Sequence, residues 1–159
     1  AGLVHVAAAT GSTSERTVRE LYSLPEMALL DMGDFAGGTL KYLRRHPIPR
    51  LTLAGGFAKL AKLAQGHLDL HSSRSELDQK ALATLAAERG APGALVEAMA
   101  AANTASQMLT QAREAAFPLA DLIASCAQEV AREMLGPEMA VEVLVVDRQG
   151  AVVGRAAGW

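Results

Sequence analysis

Along the first part of the chain, short apolar runs alternate with stretches whose apolar positions recur at the period of a helix. Leu3 to Ala8, apolar but for His5, predicts a buried strand, and Ser14 to Ser23 reads as a helix stopped by Pro25. Ser12 and Glu15 have the spacing of a capping box, which gives the Thr10-Gly11-Ser12 turn a plain structural use. Met27 to Met32 predicts a second strand, running into Asp31-Met32-Gly33-Asp34. A helix from about Phe35 to Arg45 follows, closed by His46-Pro47-Ile48-Pro49, because proline cannot continue it. Arg50 to Ala54 predicts a third strand and Phe57 to Gln65 a third helix, ended at Gly66. Strands alternating with helices over short connections imply a parallel sheet with right-handed crossovers.

After a polar segment, His67 to Asp78, the pattern changes. Glu76 to Leu135 is alanine-rich and helical throughout, broken at Gly90-Ala91-Pro92-Gly93 and near Phe117-Pro118, and so many alanines imply close-packed helices. Val141 to Val146 predicts a strand, Asp147-Arg148-Gln149-Gly150 a turn, and Ala151 to Ala156 the returning strand of a hairpin. The expected fold is α/β: a Rossmann-like layered α/β/α arrangement with a mainly parallel sheet, an alanine-rich helical segment and a C-terminal β-hairpin. With 159 residues, half of them hydrophobic, residues 1–159 are expected to form a single α/β domain with a substantial core.

The formal net charge of −2, with acids and bases interspersed, argues against nucleic acid as a general partner. The single cysteine, Cys126, sits in an apolar helical stretch and reads as core; one cysteine makes no internal disulfide, in keeping with a cytoplasmic setting. No apolar run approaches the ~20 residues that span a bilayer. The chain enters its first strand with almost no lead-in, as a domain cut from a longer protein would.

Two strand-to-helix junctions carry the candidate chemistry. Thr10-Gly11-Ser12 lies where backbone amides are free to meet a ligand, and Asp31 follows Gly11 by roughly twenty residues, the separation at which nucleotide-binding α/β folds place a ribose-binding acid. Asp31 or Asp34 would then hold the ribose hydroxyls; the alternative is a capped helix and two loop acids. The second junction, Gly55-Gly56-Phe57-Ala58-Lys59, has glycines that tolerate unusual torsions, with Lys59 and Lys62 on the first turns of the helix. Lysines there oppose the helix dipole, which points to function more than to helix stability. His71, Ser72 and Arg74 read as an anion- or substrate-facing loop, and His67, Asp69 and His71 as hydrogen-bonding residues in preference to metal ligands. Lys41, Arg44, Arg45, His46 and Arg50 cluster near a helix C-terminus, where cations are stabilising.

Taken in order, Thr10-Gly11 before a Ser-Glu helix start, Met32-Gly33-Asp34-Phe35 with Gly37, Gly55 with Lys59-Leu60 and Lys62-Leu63-Ala64, and His71-Ser72 resemble the C-terminal half of the cobalt-precorrin-5B C-1 methyltransferases of cobalamin biosynthesis. Val146-Asp147-Arg148 with Gly150 also fits that family's end. The resemblance implies S-adenosyl-L-methionine as cofactor and a polycarboxylate corrin precursor as substrate, methylated at C-1. It makes Thr10, Gly11, Asp34 and Gly55 candidates for the cofactor, and Lys59, Lys62, His71 and Ser72 candidates for the substrate. The reading of the junctions and loop adds Ser12 and Asp31 to the cofactor set and Arg74 to the substrate set, and His71 is the candidate base if the ring carbon needs one. It further implies a partner domain N-terminal to this one, without which the chain is expected to fold but not to turn over. Two other readings remain open: a non-catalytic binding or assembly module whose alanine-rich helices form a homo-oligomer interface, and an enzyme acting on nucleotides or phosphate esters.

Overall fold

The computed structural model describes residues 2–159. Its centre is a five-stranded sheet in the order β2-β1-β3-β4-β5, built from β1 (His5–Ala9), β2 (Leu29–Asp31), β3 (Arg50–Gly55), β4 (Ala140–Val146) and β5 (Val152–Ala156). The first four strands are parallel, and β5 runs antiparallel to β4. The helices are α1 (Ser12–Tyr22), α2 (Ala36–Arg45), α3 (Phe57–Ala64), α4 (Gln79–Glu88), α5 (Gly93–Ala101), α6 (Ala105–Glu114) and α7 (Leu119–Leu135). The mainly parallel α/β arrangement, the alanine-rich helical insertion and the terminal hairpin are all present as expected.

The two faces of the sheet are covered unequally. Register puts His5, Ala7 and Ala9 on the face of Thr52, Ala54, Glu142 and Leu144. That face meets α1 through a small core of Ala7, Val18, Ala54, Leu144 and Val146. Leu51, Leu53, Val141, Val143 and Val145 point the other way, into one large core shared with residues of α2 to α7. Helix α7 dominates this layer. Its buried positions, among them Leu119, Ile123, Ala127, Ala131 and Leu135, form a stripe at helical spacing, and Gly136 ends it in a positive-φ conformation (φ 84°). The alanines let α7 approach β5 so closely that a Cβ on Gly154 would lie 2.5 Å from the backbone of Ala120.

Where the α1 core ends, the same face holds a polar cluster. The Glu142 side chain is fully buried and accepts hydrogen bonds from Tyr22 (2.5 Å), Thr52 (3.1 Å) and Arg155 Nε (2.8 Å). Thr52 uses its proton on Glu142, so it accepts from His5 Nε2 at 2.8 Å, which fixes the proton of a neutral His5 on that nitrogen. Trp159 closes the cluster, edge-on to His5 and 5.2 Å from the Arg50 guanidinium.

Three local readings change. Helix α1 starts at Ser12 with Gly11 as N-cap, so Ser12 and Glu15 form no capping box. Ser14 does that work instead, its Oγ accepting from the Gly11 amide (3.3 Å) and donating to the Gly11 carbonyl (3.0 Å). The second strand is only Leu29–Asp31, because Glu26–Ala28 follows Pro25 as a 3-10 turn. The helical segment has an additional break at Ala102–Asn103, where Thr104 caps α6 by accepting from the Gln107 amide at 3.1 Å.

Candidate functional site

In an open α/β sheet the ligand crevice lies beyond the carboxyl ends of the strands, where the strand order reverses. Here the chain passes from β1 to β2 on one side and returns to β3 on the other, so the reversal falls between β1 and β3. A cavity of about 310 Å³ opens at that point, lined by Thr10 to Ser14, Gly56 and Val146 to Arg148. A second cavity of about 360 Å³ lies on the other side of Gly56 and Val146. It is lined by Gly56 to Ala58, Val146 to Gln149, and Ser106, Leu109, Thr110 and Arg113 of α6. The two share Gly56 and Val146 to Arg148 as a common wall.

Each junction is shaped by small residues for a different reason. Gly11 is in extended backbone (φ −169°), and a Cβ there would meet nothing within 4 Å. The amides of Ser12, Thr13 and Ser14, in the first turn of α1, have no intrahelical acceptor and are available to an anion. Gly55 serves close packing: a Cβ would lie 2.7 Å from Thr10 Oγ1 and 3.3 Å from its Cβ, so no rotation of Thr10 makes room. The torsional freedom expected of this pair is not used, since Gly56 has φ −69° and Gly55 is not among the positive-φ glycines. The third wall is the β4–β5 turn. Asp147 Oδ1 accepts from the amides of Gln149 and Ala151, both at 2.9 Å, and Thr17 of α1 donates to the Gly150 carbonyl at 2.8 Å. Arg148 is therefore presented from a turn held at both ends.

The other candidate residues gather elsewhere. Asp31, exposed at the end of β2, lines a separate hollow with Leu30, Met32, Phe35, Gly38, Thr39 and Tyr42. Lys59 pairs with Asp34 at 2.5 Å, and this hydrogen bond holds the Asp34 carboxyl below its usual range. Lys62 donates to the Leu70 carbonyl at 3.1 Å, and the Leu70 amide to the Asp34 carbonyl at 2.8 Å. The two lysines thus fasten the β2–α2 loop and the 67–75 segment to α3. His71, Ser72 and Arg74 are exposed on that segment. His71 Nδ1 lies 3.1 Å from the Ser73 amide, which can only donate; the neutral ring therefore carries its proton on Nε2. Among the described residues no group of three or more histidine, cysteine and acidic side chains is placed to hold a metal ion. Cys126 is half-buried in α7, and burial pushes its thiol up.

The sequence reading missed Arg148 and Arg113 as candidates. The rule that ligands meet strand carboxyl ends finds Arg148 once β4 is known to lie beside β3, an adjacency that nothing in the local sequence announces.

The open, mainly parallel sheet, with glycine junctions and a crevice at the switch point, defines a domain of the Rossmann-like α/β class. More particularly, the chain belongs to the family described as CbiD, C-terminal domain, which matches residues 69–157. It is similar over nearly its whole length to proteins named cobalt-precorrin-5B C(1)-methyltransferase. That of Paramagnetospirillum magneticum is 58% identical over 98% of this chain and 43% of its own length. Those of Bradyrhizobium sp. and Burkholderia cenocepacia strain J2315 are both 54% identical, over 99% and 98% of this chain and 42% and 43% of their own lengths. The chain therefore spans less than half the length of these relatives. No solved structure matches it. Among the described residues no helix is long and apolar enough to cross a membrane.

Proposed function

We propose that this chain is the C-terminal domain of a two-domain, S-adenosyl-L-methionine-dependent methyltransferase that methylates C-1 of a cobalt-precorrin-5B ring in the cytoplasm. The names of the relatives support the reaction. The observation that carries the cofactor assignment is the switch-point cavity, with three free amides on its floor and open space above Gly11. The amides of Ser12, Thr13 and Ser14 suit the cofactor's carboxylate, and Gly11 admits its backbone-hugging part. Asp31, at the end of the neighbouring strand and lining the separate hollow beside α2, is the proposed acceptor for the ribose hydroxyls. When bound, the cofactor supplies an electrophilic methyl group on a sulfonium.

Alignment of the accepting carbon with that methyl is the main requirement, more than acid–base chemistry. The chain's own residues serve that need. Gly56 and Val146, shared by the linings of both cavities, set the proposed cofactor and substrate sides of the site next to each other. Lys59, Lys62, Ser72 and Arg74 form a polar flank able to meet substrate carboxylates; each lysine spends one of three ammonium protons on its present partner. His71, with Nδ1 engaged, serves as a donor through Nε2, and acts as a base only after its turn bond to Ser73 opens. With less than half the relatives' length present, turnover is expected to need the remaining domain.

Calorimetric titration with S-adenosylhomocysteine tests the cofactor site. Saturable binding is expected, reduced at least about tenfold by Gly11→Val, at a cavity-lining position where an added Cβ meets nothing within 4 Å. Equal affinity in the variant would remove the cofactor from this cavity.

A further inference from the structure

We propose that the groove between α6, the start of α3 and the β4–β5 turn is a subsite for the peripheral carboxylates of a tetrapyrrole, with Arg113 and Arg148 as the recognising side chains. This rests on the methyltransferase reading and names the part of the chain that holds the substrate. The groove has the mixed lining such a ligand requires. Phe57, Leu109 and Val146 give an apolar surface for the rim of a macrocycle, while Ser106 and Thr110 offer hydroxyls at its border. Arg113 projects from the last turn of α6, and Arg148 from the turn that is clamped to α1.

The two arginines are also the cations that line the groove. Among the described residues the ion pairs are Arg19–Glu15, Lys59–Asp34 and Arg155–Glu142, so neither Arg113 nor Arg148 has an acidic partner. The acid nearest in sequence, Asp147, has its Oδ1 committed to two amides of its own turn. Lys59 and Lys62, by contrast, are tied to Asp34 and to the Leu70 carbonyl. Guanidinium groups bind carboxylates through two parallel bonds, which fixes orientation as well as position. The groove shares Gly56 and Val146 to Arg148 with the switch-point cavity, so a ring anchored there by its arms presents its edge to the methyl donor.

The test is fluorescence titration of the 159-residue chain with uroporphyrin, a tetrapyrrole whose arms are all free carboxylates, beside its fully esterified form. The free acid is expected to bind saturably and the ester at least about tenfold more weakly. Arg113→Gln and Arg148→Gln are each expected to lower affinity about tenfold, with Arg→Lys restoring part of it, and the pair Lys59→Ala/Lys62→Ala to have the smaller effect. Urea denaturation of each variant separates lost affinity from a lost fold. Unchanged affinity in the arginine double variant, equal binding of acid and ester, or no saturable binding by the unsubstituted chain each overturns the assignment. Failure here with S-adenosylhomocysteine still bound removes the groove alone. Arginine-dependent porphyrin binding without S-adenosylhomocysteine binding removes the cofactor half of the methyltransferase reading and leaves the groove.

Discussion

Glu142→Ala is expected to destabilise the chain by about 3 kcal/mol in urea denaturation, the low end of the range for breaking a buried ion pair. The low end applies because Arg155 is half-exposed and can turn to water once its partner is gone. What remains is the loss at Tyr22 and Thr52, whose hydroxyls lose their acceptor inside the sheet face, at roughly 1 kcal/mol or more each. Tyr22→Phe should lose about 1 kcal/mol and change the alkaline limb of stability. Burial, and then the bond to Glu142, push the Tyr22 hydroxyl from its ordinary value near 10 up to about 12. The folded state thus favours the protonated phenol, so this contribution is complete below pH 10 and disappears as pH rises from 10 towards 12. Tyr22→Phe removes that dependence. His5 acts at the other end of the scale: burial lowers its pKa below 6.5, so its contribution is complete above that pH and is lost on acidification. A Glu142→Ala variant within about 0.5 kcal/mol of the parent would show that the cluster contributes nothing net.

Gly154→Ala is expected to lower stability by about 3 kcal/mol, and Gly154→Val to leave little folded protein. The added methyl would sit 2.5 Å from the Ala120 carbonyl carbon and 2.6 Å from its oxygen, both backbone atoms at the start of α7. No rotamer change relieves that overlap; β5 or the start of α7 must move. Movement is opposed from both sides, because Asp121 accepts from the Arg155 amide at 2.9 Å and Gln128 donates to the Val141 carbonyl at 2.7 Å. Gly38→Ala is the matched control. Gly38 lies inside α2 with open space at its Cβ, so the same added methyl should raise stability by about 0.5–1 kcal/mol. Circular dichroism melts of the two alanine variants should move in opposite directions. If Gly154→Ala melts with the parent, the closeness of α7 to β5 is not a packing constraint.

The contrast between these glycines also shows what the sequence could tell. Element types were legible because apolar periodicity and punctuation by proline and glycine are local. Pro25, the His46–Pro49 stretch and Gly66 each end an element near where the pattern placed it. The missed break at Ala102–Asn103 has no glycine or proline, only an asparagine and a capping threonine amid alanines. The use of each glycine was not legible. Gly55, Gly154 and Gly158 leave room for Thr10, Ala120 and Val141, residues remote in sequence, whereas Gly11 leaves room for nothing within the chain. The candidate site divided in the same way. Thr10, Gly11 and Ser12 come together with Gly56 because one strand end sets them side by side with the next. Asp34 and Lys59, read as facing two different ligands, also pair with each other, since α3 and the β2–α2 loop meet only in the folded chain.

The unequal cover of the sheet carries a consequence for motion. Helix α1 is held by the small core of Ala7, Val18, Ala54, Leu144 and Val146, while β3 and α7 are anchored in the large one. In native-state hydrogen exchange the amides of α1 should therefore open at lower free energy than those of β3 or α7. Its first turn is also the floor of the switch-point cavity, so the cofactor would bind on the loosest layer of the domain. Occupancy should then slow exchange along the whole helix, and the resting domain would hold its own binding site partly open, tightening it only when a ligand arrives.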